Sequence, residues 1–471
     1  MIRRAARVAG AATAVLAAVA LSGAPAGAIN EPVVDAAAPT PSGNTGPSVP
    51  MAQRGECVVT ALRTGTDIAA TTAAARQLNL PGAWAYSRGE GQKVAVIDTG
   101  VNAGPQLPNL IGGGDFLGTG NGLTDCDGHG TLVAGLIAGQ PGVGAFSGVA
   151  PGAEIIALRQ TSPRFSPNAN GQDPAATRAA ADIDSLARSV VHAADLGARV
   201  IVISMTTCLP ADSTLNQSAL GAALRYAARD KDAVIIAAAG DIGGANTDCQ
   251  ANPLGGIAGG ADPRSWGGVG SLSVPAWWSQ YVLSVGSVDD GGQPSGFSMS
   301  GPWLGIAAPG ENILSLSNAA GGGLANATPD GRGKYNNLSG TGYASAYVAG
   351  VAALVRSRFP DLPANQVVDR LTRTAHNGAR SPSNLVGAGV VDPVAALTWE
   401  LPARNTGPAQ TPIDAPVPVP EADHTGRIVS FTGAGLLALI VAGAALTMRR
   451  RTDQPGPENP SPEHPREEAV S

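Results

Sequence analysis

Short, continuously apolar runs alternate with longer stretches of small and apolar residues through the middle of the chain. Because the short runs are apolar at every position, they are typical of strands covered on both faces, as in a parallel sheet with crossover helices. The pattern therefore predicts an α/β fold. The predicted strands cover residues 93–98, 154–158, 200–204, 233–239 and 281–288, and the predicted helices cover 129–139, 176–196, 212–230, 345–358 and 364–375.

A second hydrophobic pattern lies near the C-terminus, where residues 428–447 form 20 residues without a charge, followed by three consecutive arginines at 449–451. At a rise of about 1.5 Å per residue, such a helix covers roughly 30 Å, the thickness of the hydrocarbon core of a bilayer. We expect it to span the membrane, with the main body outside and an acidic, proline-rich tail (448–471) in the cytoplasm. A buried core helix is the weaker interpretation, because a proline-rich stretch precedes the segment.

The N-terminus predicts export. Residues 1–28 open with three arginines, continue through an apolar stretch and close on Ala26-Gly27-Ala28, which is typical of a secretory signal peptide. An uncleaved anchor is the alternative, but the apolar run is short for a membrane span. Signal and span together predict a single-pass protein of the cell membrane.

The remaining regions follow from shifts in composition. An N-terminal extension covers residues 29–83, and its first part, 29–50, is rich in Pro, Ala, Gly and Ser and is expected to be a loose arm. The main domain covers residues 84–400. A proline-rich linker at 401–427 is expected to connect this domain to the membrane span.

Charge and cysteine content narrow the function. The net charge is −6 and no basic patch is interleaved with aromatic residues, which argues against nucleic-acid binding. The four cysteines all fall between the predicted signal and the predicted span. An even number in an exported segment favours two disulfides, and the sequence alone allows three pairings. No Cys-x-x-Cys spacing occurs, so we expect no zinc site, and we predict no metal or other cofactor.

Two motifs carry groups suited to acyl-transfer hydrolysis. That chemistry requires a nucleophilic hydroxyl, an imidazole that accepts its proton, a carboxylate that orients the imidazole, and donors for the oxyanion. Asp98 ends a predicted strand, where α/β folds place their sites. His129 stands at the beginning of a predicted helix, in Asp127-Gly128-His129-Gly130-Thr131. The chain thus has a candidate carboxylate and a candidate imidazole.

These two motifs resemble the acid and histidine motifs of the subtilisin-like proteases, in the same order and at the expected separation. The resemblance implies the three-layer subtilisin fold with a mainly parallel sheet. In that family the third motif reads Gly-Thr-Ser, and its serine is the nucleophile. The matching run here is Ser339-Gly340-Thr341-Gly342-Tyr343, so Gly342 stands at the nucleophile position. Glycine has no side chain that can attack a carbonyl.

The oxyanion position differs as well. The family has an asparagine that donates to the oxyanion, whereas this chain has Asp241, and an ionised carboxylate only accepts hydrogen bonds. In subtilisin, losing the nucleophile costs about 10⁶-fold and losing the oxyanion donor about 10² to 10³. Ser345 is an alternative nucleophile one helical turn further along, but a displacement of about 5 Å is too large for efficient catalysis.

Features outside these motifs narrow the resemblance to the mycosins, the subtilisin-like component of type VII secretion. Signal, extension, protease body, linker and single span follow the mycosin layout over essentially the whole chain. By that resemblance Cys57 pairs with Cys126, and Cys208 pairs with Cys249. Mycosins support the secretion membrane complex separately from proteolysis. The resemblance therefore implies a catalytically impaired pseudoprotease whose partners are components of that complex.

Two other functions stay open at the level of the sequence. An active serine endopeptidase that processes secreted proteins would use Ser345 or a hydroxyl outside the motif. A module that binds a peptide or a secreted protein would need no role in assembly of the complex. Groove-lining residues such as 202–206 do not distinguish the binding module from the pseudoprotease.

Overall fold

The computed structural model describes residues 29–402, except 143, 169–172, 244–248, 255–261 and 379–381, together with residue 444. The chain divides into two units between Leu401 and Pro402, and everything described below belongs to the first. The predicted signal peptide lies outside the described residues, as do the tail, the linker beyond 402 and the span apart from 444. Within the described part of the chain, no helix has the length and hydropathy needed to cross a membrane.

Fifteen strands are present in the described residues. They are β1 (Met51–Gln53), β2 (Lys93–Asp98), β3 (Leu110–Asp115), β4 (Glu154–Arg159), β5 (Phe165–Pro167), β6 (Val200–Ile203), β7 (Thr207–Pro210), β8 (Val234–Ala238), β9 (Ser271–Val274), β10 (Val282–Val288), β11 (Leu304–Pro309), β12 (Ser315–Leu316), β13 (Leu324–Ala325), β14 (Ala327–Pro329) and β15 (Tyr335–Asn337). Seven of them form the central sheet in the spatial order β11-β10-β8-β6-β2-β4-β3, and every neighbouring pair is parallel.

The helices cover both faces of this sheet. They are α1 (Ala73–Gln77), α2 (Leu80–Ala83), α3 (His129–Ala138), α4 (Pro174–Asp195), α5 (Ser218–Arg225), α6 (Thr341–Arg358), α7 (Ala364–Arg373) and α8 (Pro393–Thr398), and a π-helical turn at Tyr226–Asp230 continues α5. Along β2, Val94 and Val96 join the core that contains α3 and α6, whereas Ala95 and Ile97 join the core that contains α4 and α5. Alternate side chains of one strand thus enter two cores, which explains the continuously apolar runs.

The predicted strands correspond to β2, β4, β6, β8 and β10, and the α/β class with a large parallel sheet is confirmed. The two edge strands β3 and β11 were not predicted. The segment of β3 reads Leu-Ile-Gly-Gly-Gly-Asp, in which three glycines conceal the apolar signal. At β11, Gly305 and Pro309 interrupt an apolar run in the same way.

Two predicted helix starts are wrong. The helix predicted from residue 212 begins at Ser218, because Thr207–Pro210 forms β7, and the chain then needs several residues to turn before a helix can start. The helix predicted from residue 345 begins earlier, at Thr341. Gly342 lies in its first turn and Gly340 is its N-cap, and glycine is a poor helix former, so the sequence hides this start.

The expectation of a loose arm at residues 29–50 is also wrong. Val34 packs against the core that contains α4 and α5. Arg188 donates to the carbonyl oxygens of Asn44 (2.7 Å) and Gly46 (2.8 Å). The arm then continues into β1, which pairs antiparallel with β5. Contacts with distant side chains and strands hold this segment, and its own composition gives no sign of them.

Two disulfides connect the extension and one later loop to the body. Cys57 is bonded to Cys126, which lies shortly before α3, and Cys208 in β7 is bonded to Cys249 in the loop after β8. These are the pairs that the resemblance implies. All four cysteines are therefore bonded.

Candidate active site

Asp98 ends β2 and is fully buried at the carboxyl edge of the sheet. Its carboxylate accepts hydrogen bonds from the amide of Thr99 (2.6 Å) and from the hydroxyl of Ser204. Both of its oxygens lie 2.9 Å from Nδ1 of His129. Burial raises the pKa of the Asp98 carboxyl, but the attraction of His129 and the hydrogen bonds outweigh it, so the pKa is lowered overall. The ionised carboxylate therefore orients the imidazole.

His129 is the first residue of α3 and follows Gly128, whose positive φ of 82° is readily adopted by glycine. The side chain is 22% exposed, so the ring reaches the surface of the site. The imidazole packs against the ring of Tyr343, with the ring centroids 4.9 Å apart and the ring planes tilted by 37°. Burial lowers the pKa of His129, and the carboxylate of Asp98 more than compensates, so that the pKa is raised overall.

Asp125 is a buried residue that holds the start of α3. One carboxylate oxygen accepts hydrogen bonds from Thr99 Oγ1 (2.8 Å), the amide of Asp127 (3.1 Å) and the amide of Gly128 (2.8 Å). The other accepts from the amide (2.8 Å) and the hydroxyl (2.6 Å) of Thr131. Sequence reasoning missed this residue. The available signal was an acidic side chain just ahead of a helix, where it can cap free amides.

Gly342 is the second residue of α6 and is buried beside His129. A Cβ atom built on this glycine would lie 3.0 Å from Nε2 of His129 and 2.6 Å from the carbonyl oxygen of Ser204. The structure thus brings together Asp98, His129 and the residue that the sequence places at the nucleophile position. No side chain projects from that residue toward the imidazole.

Ser345 lies one turn further along α6 and is fully buried. Its hydroxyl donates to the carbonyl oxygen of Gly342 at 2.6 Å, within the same helix. Such bonding back to the preceding turn is common for a serine inside a helix. The hydroxyl is therefore occupied by the backbone of its own helix.

Asp241 lies three residues beyond the end of β8, directly after Gly240. Its Oδ1 accepts hydrogen bonds from the amide (2.9 Å) and the hydroxyl (2.8 Å) of Thr341, the first residue of α6. The same hydroxyl accepts from the amide of Gly240 at 3.1 Å. Burial raises the pKa of Asp241, and the hydrogen bonds from Thr341 and the charge of His129 offset this only in part. The carboxylate acts as a cap on the first turn of α6, supplied by another element.

The N-terminal extension passes beside the start of α3. The amide of Val58 donates to the carbonyl of Cys126 (2.8 Å), and the amide of Thr60 donates to the side chain of Asn318 (3.0 Å). Thr60 is so close to Gly128 that a Cβ on that glycine would lie 2.6 Å from its methyl group. The extension thus forms one edge of the site next to His129. Among the described residues, no group of three or more His, Cys, Asp or Glu side chains is placed to hold a metal ion.

Comparison with known proteins decides the family. The profile of the subtilase family matches residues 89–389. Mycosin-3 of Mycobacterium tuberculosis is 57% identical over 437 residues, which cover 91% of this chain and 95% of that protein. The chain belongs to the mycosin branch of the subtilase family.

Solved mycosin structures have the same fold. The structure of the MycP3 protease from the type VII (ESX-3) secretion system is 62% identical, with a TM-score of 0.76, and the match covers 79% of this chain and all of that one. A chain in the structure of an intact ESX-5 inner membrane complex is 43% identical, with a TM-score of 0.77, over 90% of this mycosin and all of that chain. The matches thus cover nearly all of Mycosin-3 and the whole of both solved chains.

Proposed function

We propose that this mycosin is a catalytically inactive subtilase homologue that has a structural or binding role in a type VII secretion membrane complex. The observation that carries the proposal is the glycine at position 342. It lies beside an otherwise assembled pair, Asp98 and His129, in which Nδ1 is 2.9 Å from both carboxylate oxygens. The imidazole is oriented as a general base, but the site offers it no hydroxyl to activate.

The oxyanion side supports the same proposal. A hydrolase must stabilise the charge that develops on the substrate carbonyl with preorganised donors. Asp241 presents a carboxylate there, and its Oδ1 is bound to Thr341. A carboxylate accepts hydrogen bonds only, so an oxyanion at this position would face a negative group.

The alternative of an active endopeptidase with Ser345 as nucleophile has no support in the geometry. The side chain is fully buried and donates within α6. Moving the hydroxyl to the position next to His129 would require the helix to rotate or shift. A misplacement of only about 1 Å already costs on the order of 10²-fold in rate.

Labelling with a fluorophosphonate probe tests the inactivity directly. The probe is applied to the full-length chain in detergent, beside a His129→Ala variant that lacks the base. We expect equal, background labelling of both. Labelling of the native chain that disappears in the His129→Ala variant would overturn the proposal, and mapping of the modified residue would then identify the true nucleophile.

The proposed role in the complex rests on the relatives, since one solved counterpart is a chain of an ESX-5 inner membrane complex. The location of this chain in the membrane, through one C-terminal span, is part of the proposal. In a strain that lacks the gene, the native chain and an Asp98→Asn variant should restore secretion and recovery of the membrane complex equally. Restoration of secretion without recovery of the complex would favour a module that binds secreted peptides or proteins.

A further inference from the structure

The inference concerns the space around Gly342 and deepens the proposed function. A Cβ atom at this position would lie 2.6 Å from the carbonyl oxygen of Ser204, and 3.0 Å and 3.1 Å from Nε2 and Cε1 of His129. Real Cβ atoms essentially never show contacts shorter than 3.0 Å. The nearest obstacle is a backbone oxygen, which cannot rotate away as the end of a flexible side chain can. The site thus lacks the space for any side chain at position 342.

We infer that Gly342 is a requirement of the packing of this site, and that restoring the serine alone does not restore a protease. The carbonyl oxygen of Ser204 occupies the space that a side chain at position 342 would need. Loss of the hydroxyl and closure of the surrounding backbone are then two separate barriers at position 342, in addition to the carboxylate of Asp241 at the oxyanion position.

The carbonyl of Ser204 cannot easily move away from Gly342, because strand pairing fixes the preceding residue and a hydrogen bond fixes the side chain. It follows β6, whose last residue, Ile203, pairs with Ile97 of β2 and with Ala237 of β8. Its hydroxyl donates to Asp98 Oδ2, and the residue is only 4% exposed. A shift of its carbonyl would therefore disturb the carboxylate that orients His129.

The first turn of α6 cannot easily move away from Ser204 either. Thr341 donates through its amide and its hydroxyl to Asp241, at 2.9 Å and 2.8 Å. The amide of Gly340 donates to the carbonyl of Gly310 at 2.9 Å. Tyr343 is 5% exposed and packs on the ring of His129. The first turn of α6 and the segment after β6 are thus each held by contacts of their own.

Thermal unfolding of the Gly342→Ala variant of the full-length chain tests the steric part. Alanine normally stabilises a helix relative to glycine, so the usual expectation is an unchanged or higher Tm. If position 342 has no space for a side chain, the Tm of Gly342→Ala should instead fall by about 3 °C or more. The matched control is Gly296→Ala, because a Cβ there meets nothing within 4 Å. An unchanged or raised Tm for Gly342→Ala would overturn the inference.

A double-mutant cycle assigns the obstacle to Ser204. Ser204→Ala removes the hydrogen bond to Asp98 and leaves the segment after β6 freer to move. The Tm loss of Gly342→Ala should be smaller in the Ser204→Ala background than in the native one. If Gly342→Ala does not fold, recovery of folded protein in the double variant supports the inference. Equal losses in both backgrounds, of Tm or of folded protein, contradict the role of Ser204.

Fluorophosphonate labelling of Gly342→Ser separates this inference from the proposed function. We expect labelling of less than about 1% of the protein, at the level of the native chain and of a Gly342→Ser, His129→Ala control. Strong labelling that depends on His129 would overturn the inference. It would leave the proposed function intact, because the native chain would still lack its nucleophile.

Discussion

The surroundings of Asp241 stabilise its carboxylate through hydrogen bonds and destabilise its negative charge through burial. Oδ1 accepts two hydrogen bonds from Thr341, which suit an acceptor of either charge. Burial, however, disfavours the ionised form and raises the pKa of this group above its ordinary value of 3.8. An asparagine would keep the acceptor and remove the buried charge.

This balance predicts a pH-dependent gain in stability for Asp241→Asn. Because the folded pKa of Asp241 is raised, its contribution to stability is complete below the unfolded value and is lost as the pH rises through the folded value. The free energy of unfolding of the variant should therefore exceed that of the native chain by about 1 kcal/mol at pH 7, the usual scale of one side-chain change. Urea unfolding between pH 4 and pH 7, with the exposed Asp262→Asn as control, measures the difference. A gap that widens toward low pH would contradict the prediction.

Asp125 offers a second prediction, because its five hydrogen bonds depend on one buried carboxylate. Asp125→Ala leaves five donors without a partner around the start of α3 and should lower the free energy of unfolding by about 3–5 kcal/mol. The control is Asp173→Ala at the N-terminus of α4, where the cap is exposed and its loss costs about 1 kcal/mol. Urea unfolding measures both losses. Equal losses of unfolding free energy in the two variants would show that the network around Asp125 stabilises the fold no more than an ordinary exposed cap does.

At the scale of single residues, the sequence identifies the groups that belong to named motifs. Asp98, His129, Gly342 and Asp241 were all predicted, and the structure brings them to one edge of the sheet. Tyr343 and Asp125 were not assigned a role, and Ser204 was predicted only as part of the groove-lining stretch 202–206. The contact between Ser204 and Asp98 joins residues 106 positions apart, and no local pattern reports it. Only the register of β2 and β6 brings the two residues together.

Among the larger elements, the N-terminal extension depends most on a single covalent bond. The bond between Cys57 and Cys126 spans 69 residues, and the bond between Cys208 and Cys249 spans 41. In the chain-entropy view, each disulfide stabilises the fold by roughly 4 kcal/mol, because it restricts the unfolded chain. Their local effects should differ, since only the first one holds the segment that passes beside His129.

We therefore predict that replacing Cys57 and Cys126 with serine increases proteolytic cleavage within residues 54–66 by about tenfold or more. In that variant the segment loses its covalent anchor and keeps only hydrogen bonds such as that from Thr60 to Asn318. The Cys208→Ser, Cys249→Ser double variant is the control and should leave cleavage there unchanged. Limited proteolysis followed by mass spectrometry of the fragments gives the measurement. Equal cleavage in the two variants would mean that hydrogen bonding alone holds the extension.

The helix starts explain where pattern reading fails at this scale. Strands inside the sheet were predicted because they are apolar at every position, which follows directly from burial on both faces. The starts of α5 and α6 were misplaced, since the first depends on the turn out of β7 and the second on glycines next to the site. In both cases tertiary contacts determine where the helix begins, and helical propensity does not.

For the whole molecule, the main prediction concerns the predicted span at 428–447, which lies outside the described residues apart from 444. Expressed in a bacterial cell, the full chain should stay with the membranes after carbonate extraction, whereas a chain that ends at residue 424 should be released. A cysteine introduced at Thr452 should react with a maleimide only after the membrane is permeabilised. Reaction in intact cells would reverse the predicted topology.

The packed arm has a consequence for where this protein tolerates additions. Ile29 lies at a cavity of about 420 Å³ lined by Trp277 and Trp278, and Glu31 is hydrogen-bonded to Ser279. An epitope fused directly ahead of Ile29 would start inside this contact and compete with it. In the turn between β14 and β15, residues 331–334 are exposed and include two glycines at positive φ, so this turn offers a site for insertion that leaves the arm in place.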